Sequence, residues 1–260
     1  MTRGWDESAS AWIAAMGESG DFGREFVLDV PMLARADELM HGRTPGGGPP
    51  RALDVGCGEG RFCRLLRARG FETIGIDPTR ALISRARELD PNGAYRIGRA
   101  EALEIADGTI DLVVSYVSLV DVPDLEKAVA EMARVVRPGG RVLIANLTSF
   151  GTAGLDGGWS VDPDGLERFT IDRYLEERAA VVAWRGIRIE NWHRPLSRYM
   201  TLLLAAGLEL RHFDEPVPSG GDPERRARYE RVPWFVVMEW ERPPRAPAAP
   251  PGPCGSPRAG

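Results

Sequence analysis

Lysine is almost missing from this sequence. Lys127 is the one lysine among 33 basic residues, so Schiff-base chemistry has almost nothing to work with. The arginine bias itself reads as the mark of a GC-rich genome. Cysteine is scarce as well. Cys57, Cys63 and Cys254 have no metal-ligand spacing and make no disulfide framework, which points to no metal site and to a reduced, cytoplasmic setting. There is no basic excess: 33 Lys and Arg stand against 38 Asp and Glu, a net charge of −5. A nucleic-acid surface, which must displace counterions, and an anionic membrane surface are both disfavoured. No apolar run approaches the roughly 20 residues of a membrane span. The opening MTRGWDESASAW lacks the apolar centre of a signal peptide. The expected partner is a small molecule, with neither nucleic acid nor membrane, and the oligomeric state stays open.

What is present is a chain of 260 residues, 43% of them hydrophobic, enough for one sizeable α/β domain. Trp5, Ala9, Trp12 with Ile13, and Met16 recur at helical spacing, and Val30 to Met40 does so again. GRTPGGGPP, residues 42–50, reads as a linker. From there strands and helices alternate. ALDVG is a first strand and Arg61 to Arg69 a helix. ETIGID is a second strand and Thr79 to Leu89 a helix, with AYRIG as a third strand. DLVVSYV from Asp111 is a fourth. Leu125, Val129, Met132 and Val136 form the stripe of a helix that Pro138-Gly139-Gly140 is expected to stop, before RVLIANL as a fifth strand. This rhythm means βαβ units and a parallel sheet.

Residues 150–195 break the rhythm and read as an insert over the carboxyl edge of the sheet. Its Trp159, Trp184 and Trp192 suit either an apolar acceptor pocket or a small core of their own. LSRYMTLLLAAGL reads as a helix, LELRHF as a sixth strand and VPWFVVMEW as a seventh, and the Pro/Gly/Ala-rich tail from Pro243 as disordered. The expected organisation is one domain over 1–242, with residues 1–48 as a helical cap and 150–195 as a cap insert, followed by the tail 243–260.

The stretch LDVGCGEG, Leu53 to Gly60, carries the chemistry. Glycines without a Cβ let a ligand touch the backbone, and a loop feeding a helix start presents unpaired N–H groups to an anion. Asp77 closes the second strand, where a carboxylate can accept two hydrogen bonds from ribose hydroxyls. A dinucleotide site would show G-x-G-x-x-G, but here the spacing is Asp54-x-Gly56-x-Gly58-x-Gly60.

That pattern resembles the first motif of the class I S-adenosylmethionine-dependent methyltransferases, and further motifs follow in order. Gly75-Ile76-Asp77-Pro78 resembles the ribose motif. Ala100-Glu101-Ala102-Leu103 and then Ile110 to Ser115 resemble the adenine-loop and fourth-strand motifs. Arg134 to Gly140 resembles the turn before strand five. The resemblance covers about residues 50 to 147. It implies an α/β, Rossmann-like, mostly parallel seven-stranded sheet of order 3-2-1-4-5-7-6 with strand seven antiparallel. It also implies S-adenosylmethionine as cofactor and S-adenosylhomocysteine as product. Carried over by position, Gly56, Cys57, Gly58 and Gly60 lie under the methionyl part, and Asp54 supports that loop or reaches the amino group. Asp77 with Pro78 holds the ribose, Ala100 and Glu101 lie beside the adenine, and Ser115 and Val117 lie near the transferred methyl. One departure is Arg99, which stands where many relatives have an acid and which offers the adenine amino group no acceptor.

The segment after strand four, Ser115-Tyr116-Val117-Ser118, is not the N/D-P-P-Y/F/W segment of nucleic-acid amine methyltransferases. The expected acceptor is therefore a small, apolar or aromatic molecule methylated at O, N or C, in a setting such as specialised metabolism. His193 in the HRPLS segment is the candidate base, or a histidine that caps the next helix or bonds a backbone carbonyl. Tyr116 and Asp121 are alternatives for orienting the acceptor, or a packed ring and a helix cap. Trp12, with Trp5, suits a lid over the cofactor or plain packing, and Arg24 a partner for the cofactor's carboxylate or a solvated surface charge. A non-catalytic protein that binds S-adenosylmethionine, and a nicotinamide-dependent oxidoreductase, are the competing readings.

Overall fold

The computed structural model describes residues 4–17, 19–41, 48–154 and 158–244. Helix α1 (Trp5–Met16) leads through a π-helical turn, Arg24–Leu28, into α2 (Asp29–His41). Of the linker expected over 42–50, residues 42–47 lie outside the described residues, as do 245–260 of the expected disordered tail. The central sheet uses β1 (Arg51–Val55), β2 (Glu72–Asp77), β3 (Ala94–Ile97), β4 (Ile110–Tyr116) and β5 (Val136–Leu147), then β10 (Glu209–Asp214) and β11 (Phe235–Glu241). Its order is β10-β11-β5-β4-β1-β2-β3. β1 to β5 pair in parallel, whereas β11 runs antiparallel to both β5 and β10. This is the Rossmann-like sheet expected from the motifs.

Strand β4 is nearly all apolar because both of its faces are covered. Leu112, Val114 and Tyr116 join one core with Phe62, Leu66 and Phe71, while Val113 joins the other with Met132, Leu203 and Trp240. The second core is closed by α5 (Leu125–Val135) and α7 (Leu196–Ala205). Helix α5 ends earlier than its Pro-Gly-Gly sequence suggests. Val136 already pairs with Ile110, and a register shift follows before Arg141. The Pro-Gly-Gly segment instead forms this irregular strand start, where the Gly139 N–H donates to the Arg242 carbonyl at 2.7 Å.

Residues 150–195 contain the end of a short helix and two hairpins. The short α6 (Ser149–Ala153) precedes β6 (Trp159–Val161) with β7 (Glu167–Phe169), and then β8 (Arg178–Trp184) with β9 (Ile187–His193). β9 packs against α1. Ser8 Oγ donates to the Arg188 carbonyl at 3.0 Å and accepts from the Arg188 N–H at 2.9 Å, so one hydroxyl satisfies both backbone groups of a strand residue. A further helix not expected from the sequence, α8 (Pro223–Arg231), is capped by Asp222, whose side chain accepts from the Arg225 N–H, and buries no residue.

Candidate active site

Strand order reverses between β1 and β4, the place where open α/β sheets bind ligands at their carboxyl ends. A cleft enclosing about 1170 Å³, open to solvent, lies there. Its floor is the loop after β1. Gly56 and Gly58 line it with φ of 82° and 55°, a left-handed region that side chains with a Cβ enter only at a cost. The Gly56 and Cys57 N–H groups donate to the Ile76 carbonyl at 2.7 and 3.1 Å. Ser118 donates to the Val55 carbonyl at 2.6 Å and so ties the loop after β4 to the loop after β1.

Asp77 ends β2 and is buried. Its Oδ2 accepts from the Gly58 N–H at 3.0 Å and its Oδ1 from the Thr79 N–H at 2.8 Å, the Thr79 hydroxyl also donates to the carboxylate, and the residue lines the cleft. Burial raises its proton affinity, and the two amide donors and the Thr79 hydroxyl act against that. Asp54 lies deeper, 2% exposed. Its Oδ2 accepts from Cys63 Sγ at 3.6 Å, while Oδ1 is buried without a partner. Burial pushes the Asp54 carboxyl up to about 7; the Cys63 bond opposes this and the charge of Asp77 adds to it. A buried acceptor with no donor is expensive, and Asp54 is among the residues that line the cleft. A cationic amino group supplied by a ligand is the complement it lacks. The glycine floor, the orphaned Asp54 oxygen and the Asp77 carboxylate fit a bound S-adenosylmethionine.

An ionised Asp54 is the less stable form in the ligand-free protein. Its folded-state value of about 7 lies above the ordinary value near 4, so stability is greatest below the ordinary value and is lost as pH rises from about 4 to about 7. Asp54→Asn is therefore expected to stabilise the ligand-free protein by an amount that grows over that window, on the order of a few kcal/mol by pH 8. Urea midpoints of both proteins across that range check it. The same substitution weakens binding of S-adenosylhomocysteine.

The roof comes from the N-terminal segment. Trp12 lies over Gly58: a Cβ there would meet the ring at 3.1 Å. Trp5 packs edge-on against Trp12 with centroids 6.1 Å apart. Arg24 lines the cleft, bonded to Asp21 at 2.9 Å, with its guanidinium 5.7 Å from the Trp12 ring centroid and 5.8 Å from that of Tyr116. Cys57, Pro78, Ala100, Glu101 and Val117 also line the cleft. Val117 holds φ at 56°, a strained conformation for a β-branched residue. Glu101 accepts from the departing residue Arg99 at 2.8 Å.

Three expected residues are not at the cleft. Gly60 caps α3 (Arg61–Arg67) with φ 77° and is needed because the Tyr95 ring would lie 2.5 Å from a Cβ. Ser115 is fully buried under the floor, bonded to Ser118 Oγ at 2.7 Å, so Ser118 takes the exposed place. His193 is fully buried at the end of β9. Its Nε2 lies 2.8 Å from the Tyr174 carbonyl and its Nδ1 2.8 Å from Thr152 Oγ1. A carbonyl only accepts, so Nε2 carries the proton and Nδ1 accepts from Thr152. Burial lowers the proton affinity of the ring. Both nitrogens are used, and His193 is a structural histidine, not a base.

The hairpin tryptophans do not reach the cleft either. Trp159 packs on Phe169, and Trp192 lies under the Arg194 guanidinium at 4.7 Å. The cleft's tryptophans are Trp5 and Trp12. Missing from the sequence reading were Glu190, which lines the cleft, and Asn191, which donates to Asp121. The alternation in IRIENWH, buried at every second residue, was the available signal for a strand there. No described group of His, Cys, Asp and Glu is arranged to hold a metal ion, and no described helix is long and apolar enough to cross a membrane.

Comparison with known proteins bears on the chain as a whole. A methyltransferase domain family matches residues 53–144. The malonyl-[acyl-carrier protein] O-methyltransferase of Pseudescherichia vulneris is 34% identical over 140 residues, which is 53% of this chain and 55% of that protein. The protein of the same name from Methylococcus capsulatus is 30% identical over 184 residues, 67% of this chain and 66% of that one. The chain thus spans just over half the length of the first of these curated relatives. A crystal structure of an S-adenosylmethionine-dependent methyltransferase from Mesorhizobium loti superposes with a TM-score of 0.69 at 25% identity, covering 81% of this chain and all of that one. The domain, the sheet order and the cleft agree: this chain belongs to the class I S-adenosylmethionine-dependent methyltransferases, and S-adenosylmethionine is its cofactor.

Proposed function

We propose that this chain methylates an oxygen, nitrogen or carbon atom of a small, apolar or aromatic molecule. The observation that carries this reading is one cleft that joins a cofactor floor to aromatic walls, with Asp54, Asp77, Trp5, Trp12 and Tyr116 around one space. When bound, the sulfonium cofactor supplies an electrophilic methyl group. The chain's own work is alignment and exclusion of water. Asp77 holds the ribose hydroxyls and Asp54 Oδ1 the amino group. Arg24 is the cleft cation suited to the cofactor's carboxylate. Glu101, held by Arg99, supplies the acceptor for the adenine amino group that position 99 itself lacks. Residues 4–41 and the β8–β9 hairpin act as the cap.

Calorimetric titration with S-adenosylhomocysteine, S-adenosylmethionine and NAD tests the cofactor side. Binding of the first two and not the third is expected. Binding of NAD in competition with them overturns the reading in favour of an oxidoreductase. Turnover of an apolar or aromatic panel then separates an enzyme from a protein that only binds the cofactor. The relatives' names give a second reading. Their acceptor is a malonyl group on a carrier protein, and Arg24 also suits an acceptor carboxylate. Methylation of malonyl-acyl-carrier protein, with no reaction of the apolar panel, would favour it.

A further inference from the structure

We propose that Asp121 is the proton acceptor of the transfer, positioned by Asn191, and that the methyl acceptor presents an aromatic hydroxyl; this rests on the methyltransferase reading above. Asp121 closes the helical turn Leu119–Asp121 directly after β4 and lines the cleft. It is not the cap of α5, because Asp124 fills that place by accepting from the Lys127 N–H at 3.1 Å. Its carboxylate instead accepts from the Asn191 amide on β9 and from Trp5 on α1. Asn191 is itself 6% exposed.

The contrast with other acids in this arginine-rich chain is specific. Asp29 is bonded to Arg61, Asp90 to Arg67 and Glu59 to Arg64, all within ion-pair distance. Among the described residues no arginine pairs with Asp121, whose partners are neutral donors. A carboxylate held by neutral donors in an apolar cleft keeps its affinity for a proton. Burial pushes the Asp121 carboxyl up to about 8; the Asn191 bond and Arg24 lower it, and the charge of Asp77 raises it. Glu190 of β9 faces the same cleft.

The other candidates are committed elsewhere. The Tyr116 hydroxyl donates to Asp29 at 2.8 Å, and burial raises its proton affinity far above the phenol range. His193 is away from the cleft, and Asp54 and Asp77 face the cofactor floor. The cleft that Asp121 lines also has Trp5, Trp12, Tyr116, Val117 and Val122 in its walls, flat and apolar surfaces beside a strong acceptor. Their complement is a flat apolar molecule with one O–H donor. In the transfer the acceptor's O–H bond breaks and its proton passes to an Asp121 oxygen. The freed electron pair forms the O–CH3 bond, and the C–S pair stays on sulfur. The products are a neutral methyl ether and S-adenosylhomocysteine.

The test uses β-naphthol and its methyl ether as probes, titrated into protein loaded with S-adenosylhomocysteine. Above the ionisation of Asp121 the wild type is expected to bind the naphthol about tenfold or more tightly than the ether, the effect of one hydrogen bond to a charged group. The preference fades as pH falls through about 8. Asp121→Asn is expected to lose most of it while binding S-adenosylhomocysteine normally, which also reports that the variant is folded. Asn191→Ala keeps the carboxylate but removes a donor, so the preference survives and appears at higher pH. Naphthol that does not bind, a preference absent from the wild type or retained in Asp121→Asn, or an unmoved pH dependence in Asn191→Ala overturns the proposal. Wild type that fails to bind S-adenosylhomocysteine overturns the methyltransferase reading instead.

Discussion

Asp77→Ala is expected to lower the affinity for S-adenosylhomocysteine on the order of a hundredfold or more, the larger of two binding and stability effects that follow from the cleft floor. The carboxylate has two tasks. It holds the Gly58 and Thr79 N–H groups at 3.0 and 2.8 Å, and in the proposed function it accepts from the ribose hydroxyls. Hydrogen bonds to charged groups are each worth about 1.5–3 kcal/mol, and every factor of ten in affinity is about 1.4 kcal/mol. Losing two ribose contacts therefore suffices, before any disorder of the floor is counted. Asp77→Asn should fall between wild type and Asp77→Ala, because its amide oxygen still accepts but its NH2 faces a backbone donor. Calorimetry on the three proteins checks the order. Affinity unchanged in Asp77→Ala would mean that the ribose is not held at β2.

Gly56→Ala is expected to be the most destabilising small substitution in the floor. A Cβ at position 56 would lie 2.3 Å from Ser118 Cβ and 2.8 Å from Ser118 Oγ, and φ is already 82°. The left-handed conformation costs about 1–2 kcal/mol for a residue with a Cβ, and forced overpacking about 1–3 more. A loss of about 2–5 kcal/mol corresponds to a fall in Tm of roughly 5–15 °C for a domain of this size. Gly207→Ala is the control. It has a similar φ of 76° but nothing within 4 Å of its Cβ, so only the conformational part, roughly 1 kcal/mol, is lost. Adding Ser118→Gly to Gly56→Ala should recover part of the packing cost. Equal melting of Gly56→Ala and Gly207→Ala would show that the Ser118 contact relaxes freely.

The parallel half of the fold was readable because each element announces itself locally. Val113, Val114 and their neighbours form a run that only a strand covered on both faces needs, and Leu125, Val129 and Met132 repeat at helical spacing. Part of the cleft lining was readable for the same reason: Asp54 and Asp77 lie at the ends of the adjacent strands β1 and β2, and Gly56 and Gly58 in the loop after β1, so spacing along the chain maps onto spacing in the cleft. The acceptor half was not. Asp121 and Asn191 are 70 residues apart and meet only through packing. His193 looked reactive because a lone histidine between two elements carries no mark of its partners, and those partners, Thr152 on α6 and Tyr174 in the loop before β8, come from elsewhere in the chain. Ser115 and Gly60 were misplaced by one layer. Strand alternation puts Ser115 under the floor, and Gly60 serves the Tyr95 ring rather than a ligand.

The joint between Ser8 and Arg188 makes the opening of the cleft visible at one amide. The Arg188 N–H is on the side of β9 turned away from β8 and is held by Ser8 Oγ, while the same helix carries Trp5 and Trp12 into the roof. That proton exchanges with solvent deuterium only when α1 lifts. Its protection, set against that of neighbouring amides paired to β8, reads the free energy of uncovering the cleft. A ligand that closes the roof should slow exchange at Arg188 more than at residues within the hairpin ladder.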